Sequence, residues 1–349
     1  MTDEVLFSVE GATARIRLNR PKAIHALNKA MCDAMIERLI AWRADPAIRL
    51  VMIDHAEGRG FCAGGDIRMI AESGAKDGVD ARAFFHSEYR LNHLLFTYAK
   101  PVIAFMDGIT MGGGVGISQP ARYRVATDRT TYAMPESGIG LFPDVGGGWY
   151  LSRLPGRTGQ FLALTGARLD GAECVALGLA SHYVPAEKLD ALKVALAADP
   201  ANVEATLAAA AETPPPARIE GNRETIDRLF AADTLEGVIA ALQADGGEWA
   251  QKELATLATK SPTTCKVSLR LLAQGRDHVD FADEMRVEYG VAAHVCQRHD
   301  FIEGVRALII DKDNQPKWDP ATPEGVSDHV IDQIFAPLPA DEQWTPVQF

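Results

Sequence analysis

The chain has 349 residues, 47% of them hydrophobic and 23% charged, the balance of a soluble globular protein with room for one large domain or two ordinary ones. Its formal net charge of -12 argues against a nucleic-acid binder, which needs clustered cations, but permits an anionic small ligand at a local basic patch. The five cysteines are odd in number and widely spaced, the opening residues lack the basic and apolar regions of a signal peptide, and no stretch is apolar enough to span a bilayer, so the cytoplasm is the expected compartment. In chain order, 5–10 and 13–18 predict a hairpin about Gly11. Residues 28–43 predict a helix, with Met31, Met35, Leu39 and Trp42 at helical spacing and Asn28 as its N-cap. Residues 50–53, 101–106 and 121–126 predict buried strands, and 82–98 a helix between them. Strand and helix thus alternate, which predicts an α/β fold with a mainly parallel sheet. After about residue 200 the pattern changes: Pro214-Pro215-Pro216 ends any helix running through the alanines 208–211, and 219–310 predicts helix almost throughout. The expected division is an α/β core over 1–200 and a helical region over 201–349, with no internal repeat visible.

Three segments are glycine-rich: Gly60-Phe61-Cys62-Ala63-Gly64-Gly65-Asp66-Ile67 and Met111-Gly112-Gly113-Gly114-Val115-Gly116, each after a predicted strand, and the run from Met134 to Gly148 that contains Glu136 and Asp144. Glycine lets backbone approach a ligand and leaves N–H groups unobstructed. Two such turns aimed at one oxygen make an oxyanion hole. Taken alone, Gly112 to Gly114 reads better as a permit for tight helix packing, and the G-x-G-x-x-G of a dinucleotide site is not matched.

Taken together, and with Asn19-Arg20-Pro21-Lys22-Ala23 ahead of Ala26-Leu27-Asn28, these segments resemble the crotonase (enoyl-CoA hydratase/isomerase) superfamily over nearly the whole chain. The resemblance implies a ββα-repeat spiral core and a helical C-terminal region used in oligomerisation (trimer or hexamer) and in capping the active site. It implies an acyl-CoA substrate, of which CoA is a part, and no separate cofactor, metal, nucleic acid or membrane partner. By motif, the oxyanion donors are the N–H groups of Gly65 and Gly113, and the candidate CoA contacts are Ala63, Asp66, Ile67 and Arg68, with Lys22 and Arg59 for phosphate. Many members end in a Lys-Arg pair that holds CoA phosphate across a subunit boundary; here the match is Lys312-Asp313.

Side chains must choose the reaction. Hydratases of the family carry two glutamates; the first falls at Gly116 here, and the second is present as Glu136. Asp144 follows eight residues later, in a string similar to the 3-hydroxyisobutyryl-CoA hydrolase subfamily. Phe84-Phe85, Glu88-Tyr89, Ser261-Pro262-Thr263, Gly304-Val305-Arg306-Ala307, Asp311-Lys312-Asp313 and Pro316-Lys317-Trp318 are similar to it as well. The implied activity is thioester hydrolysis in valine breakdown, with Glu136 as nucleophile or as base on a water and Asp144 as water-positioning group or proton shuttle. Isomerase or hydratase activity is the alternative. Outside the motif, Glu136 would read as a helix-start acid and Asp144 as a turn residue. Glu88 reads either as a ligand of the substrate hydroxyl or as part of a solvated helix face. His86 and His93 read as surface or packing residues, and Cys62 as packing.

Overall fold

The computed structural model describes residues 2–348. Strands β1 (Val5–Glu10) and β2 (Thr13–Leu18) form the expected antiparallel hairpin, with Val5 opposite Leu18. Helix α1 (Lys29–Ala44) starts at Asn28, whose side chain accepts the Met31 N–H at 2.9 Å. Then come β3 (Leu50–His55), β4 (Gly60–Cys62), α2 (Ile67–Gly74) and α3 (Val79–Phe96). Next are β5 (Val102–Met106), β6 (Ile109–Met111), α4 (Gly113–Ser118), β7 (Tyr123–Ala126) and β8 (Thr131–Ala133). The first member of each pair β3/β4, β5/β6 and β7/β8 enters one sheet, ordered β1-β2-β3-β5-β7-β9, where β9 is His182–Tyr183. The second member enters a separate parallel sheet, β4-β6-β8. This is a repeated ββα geometry. It escapes a search for sequence repeats because the units share strand placement rather than residue identity.

Strands β3 and β5 are buried on both faces, which is why residues 50–53 and 102–106 read as unbroken apolar runs. Alternate residues Val51, Ile53 and Ala104 join the main core with α1 and α3. Leu50, Met52, Ile103, Phe105 and Val125 meet Leu192, Leu196 and Leu207 on the opposite face. Those leucines belong to α8 (Leu189–Ala198) and α9 (Val203–Ala210), which follow α5 (Gly147–Ser152), α6 (Thr158–Thr165) and α7 (Gly171–Ala176). Residue 200 lies in the turn between α8 and α9, and the main core includes residues from Val5 to Trp344.

The helical region comprises α10 (Arg223–Leu229), α11 (Leu235–Asp245), α12 (Glu248–Leu257), α13 (Pro262–Asp277), α14 (Phe281–Val295), α15 (His299–Val305) and α16 (Asp328–Ile334). It packs back on the core: α13 on α5 and α6, α14 on α3, α15 on α2. A π-helical turn, Arg306–Ile310, continues α15. Among the described residues no helix is long and apolar enough to cross a membrane.

Candidate active site

The first glycine segment leaves β4 and forms an isolated parallel bridge between Leu27 and Gly65. Leu27 donates its N–H to the Gly64 carbonyl and accepts from the Asp66 N–H, both at 2.8 Å. That pairing uses the neighbours of Gly65 and turns its own N–H to the other side, where Gly65 is part of a cavity wall. Gly113 is the first residue of α4, so its N–H has no intrahelical acceptor. Among the described residues neither amide has a hydrogen-bond partner. The two loops touch. A Cβ at Gly113 would lie 3.2 Å from the Gly64 carbonyl carbon and 2.5 Å from Glu88 Oε1, which leaves no room for one. Gly112 sits at φ +46°, in the left-handed region.

The cavity they line holds about 340 Å³ and also exposes Glu88, Glu136 and Asp144. Glu136 opens a 3-10 turn, Glu136–Ile139, after β8. Its Oε1 lies 3.2 Å from where a Gly112 Cβ would be, so the carboxyl stands beside the second glycine loop. Asp144 Oδ2 accepts the Tyr89 hydroxyl at 2.8 Å. Glu88 faces inward from α3 and is 2% exposed, which removes the solvated-face reading. Oxygens of Glu88 and Glu136 are buried with no partner. Burial, and then the Asp144 charge, hold the Glu136 carboxyl well above the ordinary range. Burial, then Asp144 and Glu136, do the same to Glu88. Burial pushes Asp144 up to about 7, against the pull of the Tyr89 hydrogen bond. Three close buried acids cannot all be ionised near neutrality, so the set carries both a charge and a proton, as acid–base chemistry requires.

Position 116 is closed to a carboxylate. A Cβ there would lie 2.6 Å from Val145 Cβ and 2.7 Å from Asn92 Nδ2. Of the expected CoA contacts, Ala63 and Ile67 line the cavity. Asp66 does not: it caps α2 through the Met69 N–H and pairs with Arg20 at 2.7 Å. Arg68, Lys22 and Arg59 are exposed and lie outside the cavity wall. Cys62 is buried, its thiol donates to the His25 carbonyl, and burial pushes it up to about 12, so it stays a packing thiol. His93 stacks on Phe281 and His86 meets Tyr289 edge-on, as packing residues do. Among the described residues no group of three or more His, Cys, Asp or Glu is placed to hold a metal.

Several site residues escaped the sequence reading. Tyr89 orients Asp144. Arg168, Leu308, Ile309 and Asn314 complete the cavity wall. Glu288 accepts the N–H groups of Gly146 and Gly148 at 2.7 and 3.1 Å from a helix 142 and 140 residues further along the chain. The π-turn after Val305 could have been suspected only from its place in a matched motif. Arg306 fastens that segment through Glu303, Asp311 and Asp313, so Asp313 is occupied within this chain.

A family model described as Enoyl-CoA hydratase/isomerase matches residues 13–335. The chain is 43% identical over 348 residues to a Danio rerio protein named "3-hydroxyisobutyryl-CoA hydrolase, mitochondrial", across 96% of this chain and 90% of that one. That name places the relative in mitochondria and lends no support to a cytoplasmic location. A crystal structure of a carnitinyl-CoA dehydratase from Mycobacterium thermoresistibile superposes with a TM-score of 0.94 at 42% identity over 99% of both chains. An enoyl-CoA hydratase from Rhodobacter sphaeroides 2.4.1 superposes with a TM-score of 0.91 at 36% identity, over 98% of this chain and 100% of that one. With the alternating two-sheet core, the paired glycine loops and a family match over most of its length, the chain belongs to the enoyl-CoA hydratase/isomerase family.

Proposed function

We propose that this protein hydrolyses the thioester of 3-hydroxyisobutyryl-CoA to 3-hydroxyisobutyrate and CoA, a step of valine breakdown. The observation that carries the reading is the exchange of carboxylates around α4. Val145 and Asn92 fill the space beside Gly116, while Asp144, held by Tyr89, shares the cavity with Glu136. Adding water across a double bond in this family calls on an acid at position 116; breaking a thioester does not. The Danio rerio relative's name agrees with the hydrolase reading.

The amides of Gly65 and Gly113 polarise the thioester carbonyl. Glu136, after passing its proton to the more readily ionised Asp144, attacks the carbonyl carbon, directly or by taking a proton from a water that attacks in its place. The tetrahedral oxygen takes the negative charge and the two N–H groups hold it, each worth roughly 3 kcal/mol. Collapse breaks the C–S bond, and Asp144 hands its proton to the departing sulfur; on the direct route water then opens the mixed anhydride left on Glu136, giving up a proton to Asp144 and releasing the hydroxy acid. Glu88 receives the 3-hydroxyl. Ala63 and Ile67 flank the pantetheine arm, Lys22 and Arg68 are the phosphate candidates, and Asp66 supports the loop. The five cysteines are free and buried, which suits a reducing compartment, as both the cytoplasm and the mitochondrial matrix are.

A paired assay tests the reading. A thiol-reactive dye should report CoA release from (S)-3-hydroxyisobutyryl-CoA, with little hydration of crotonyl-CoA. Efficient hydration with the hydroxy thioester left intact would overturn it in favour of the hydratase named among the structural relatives.

A further inference from the structure

The loop that carries Asp144 has an unfavourable backbone. Val145 adopts φ +54°, a left-handed conformation that a β-branched residue avoids. The strained residue is also the one whose side chain closes the space beside Gly116. One local bond closes the turn, from the Gly147 N–H to the Asp144 carbonyl at 2.8 Å, and it leaves the Gly146 and Gly148 amides to be held from elsewhere. The compensation comes from α14: Glu288, fully buried, receives the Gly146 N–H on Oε2 and the Gly148 N–H on Oε1. Both oxygens of one side chain are thus engaged; burial and the neighbouring Glu284 push this carboxyl well above the ordinary range, against the pull of the two backbone bonds. The surroundings allow no slack, since a Cβ on Gly148 would lie 2.0 Å from Glu284 Oε1 and one on Gly146 would lie 2.6 Å from the Tyr150 ring.

We propose that Glu288 is a positioning residue for the hydrolysis: by gripping the Gly146 and Gly148 amides it holds Val145 in the left-handed conformation, which keeps the space beside Gly116 closed and turns Asp144 toward Tyr89 and the cavity. The inference rests on the hydrolase reading of Asp144. Only a double acceptor suits this place. A glutamine supplies one oxygen and sets its NH2 against the second N–H donor.

The test is Glu288→Gln in the full chain, with (S)-3-hydroxyisobutyryl-CoA as substrate. The kcat should fall roughly a hundredfold, the loss expected from a small displacement of a reacting group, while KM changes by less than about twofold because the CoA contacts lie elsewhere. Hydrogen exchange should quicken in the peptide spanning 143–149 and stay unchanged along α13 and α14. A wild-type kcat, or faster exchange spread through both helices, would overturn the proposal. Should the glutamine variant fail to melt cooperatively, Glu288→Asp takes its place: it keeps both acceptor oxygens but withdraws them by one methylene, and a wild-type kcat there is equally fatal. Absence of CoA release by the unaltered enzyme would sink the hydrolase reading itself, before any variant is compared.

Discussion

Two buried groups of acids in this molecule behave in opposite ways. Asp54, at the end of β3, is fully buried and receives Arg15, Arg17 and Lys193, the last at 2.9 Å. Burial works against its ionisation, but Arg15 and Lys193 outweigh burial and leave its carboxyl below the ordinary range. Glu88, Glu136 and Asp144 are nearly as buried and lie next to one another, and no cation contributes to their electrostatics. Their carboxyls are pushed upward. An acid surrounded by cations is fixed in one state and ties elements together; acids gathered without them stay ready to exchange protons, at a cost to the fold.

The sharpest way to break this contrast is to neutralise one acid in each group. Glu136→Gln should lower kcat by about 10³-fold or more while leaving the melting temperature at or above that of the unaltered protein, because it removes a carboxyl that the fold holds at a cost. Asp54→Asn should do the reverse, losing roughly 3 kcal/mol of stability as three cations lose their partner, with kcat intact. A stability loss for Glu136→Gln equal to that for Asp54→Asn would erase the distinction. Next in size is Gly113→Ala. Its Cβ would meet Glu88 Oε1 at 2.5 Å and must displace either that acid or the amide beside it. A fall of roughly 10²-fold in kcat, with CoA still bound, is expected from steady-state kinetics and a CoA titration.

The sequence already carried the parts of this contrast that depend on local chemistry. Glycine runs after apolar strands, and acids at 136 and 144 inside such a run, name the loops and their reacting groups without coordinates. What it hid depends on distance. Glu288 lies in a helix with Asp283 and Glu284, where one more acid reads as solvated surface; only the meeting of α14 with the loop after Asp144 gives it a partner. Glu88 is hidden for a related reason: α1, α4 and α14 all pack on α3, so the face that alternation assigns to water is covered. The three-residue strands β4, β6 and β8 are too short for any periodicity to register, so only the family resemblance, with its ββα repeat, implied a second strand in each unit.

A subtler probe acts on the bond between Tyr89 and Asp144. The phenol donates to the charged form, so Tyr89→Phe should raise the first ionisation of the acid pair. The acidic limb of kcat/KM against pH should then move upward by about one unit. An unmoved limb would mean that Asp144 takes no part in the ionisation the reaction uses.

The smallest expected effect is on stability, and its sign separates the two groups. Asp144 is raised in the folded protein from an ordinary 3.8 to about 7. Below the lower value both states are protonated, and its contribution to folding is whole. As pH climbs toward 7 the unfolded chain ionises first, so stability drains away with rising pH. Asp54 runs the other way: its contribution is present above 3.8 and is lost only as pH falls through its lowered value. Asp144→Asn should therefore melt with the unaltered protein near the bottom of this window and about 2–4 °C above it at the top. Asp54→Asn should show its deficit at neutral pH and lose it in acid. Thermal melts of the two variants across one pH series give curves that diverge in opposite directions, and parallel curves would show that the two carboxyls are not shifted in opposite senses by their surroundings.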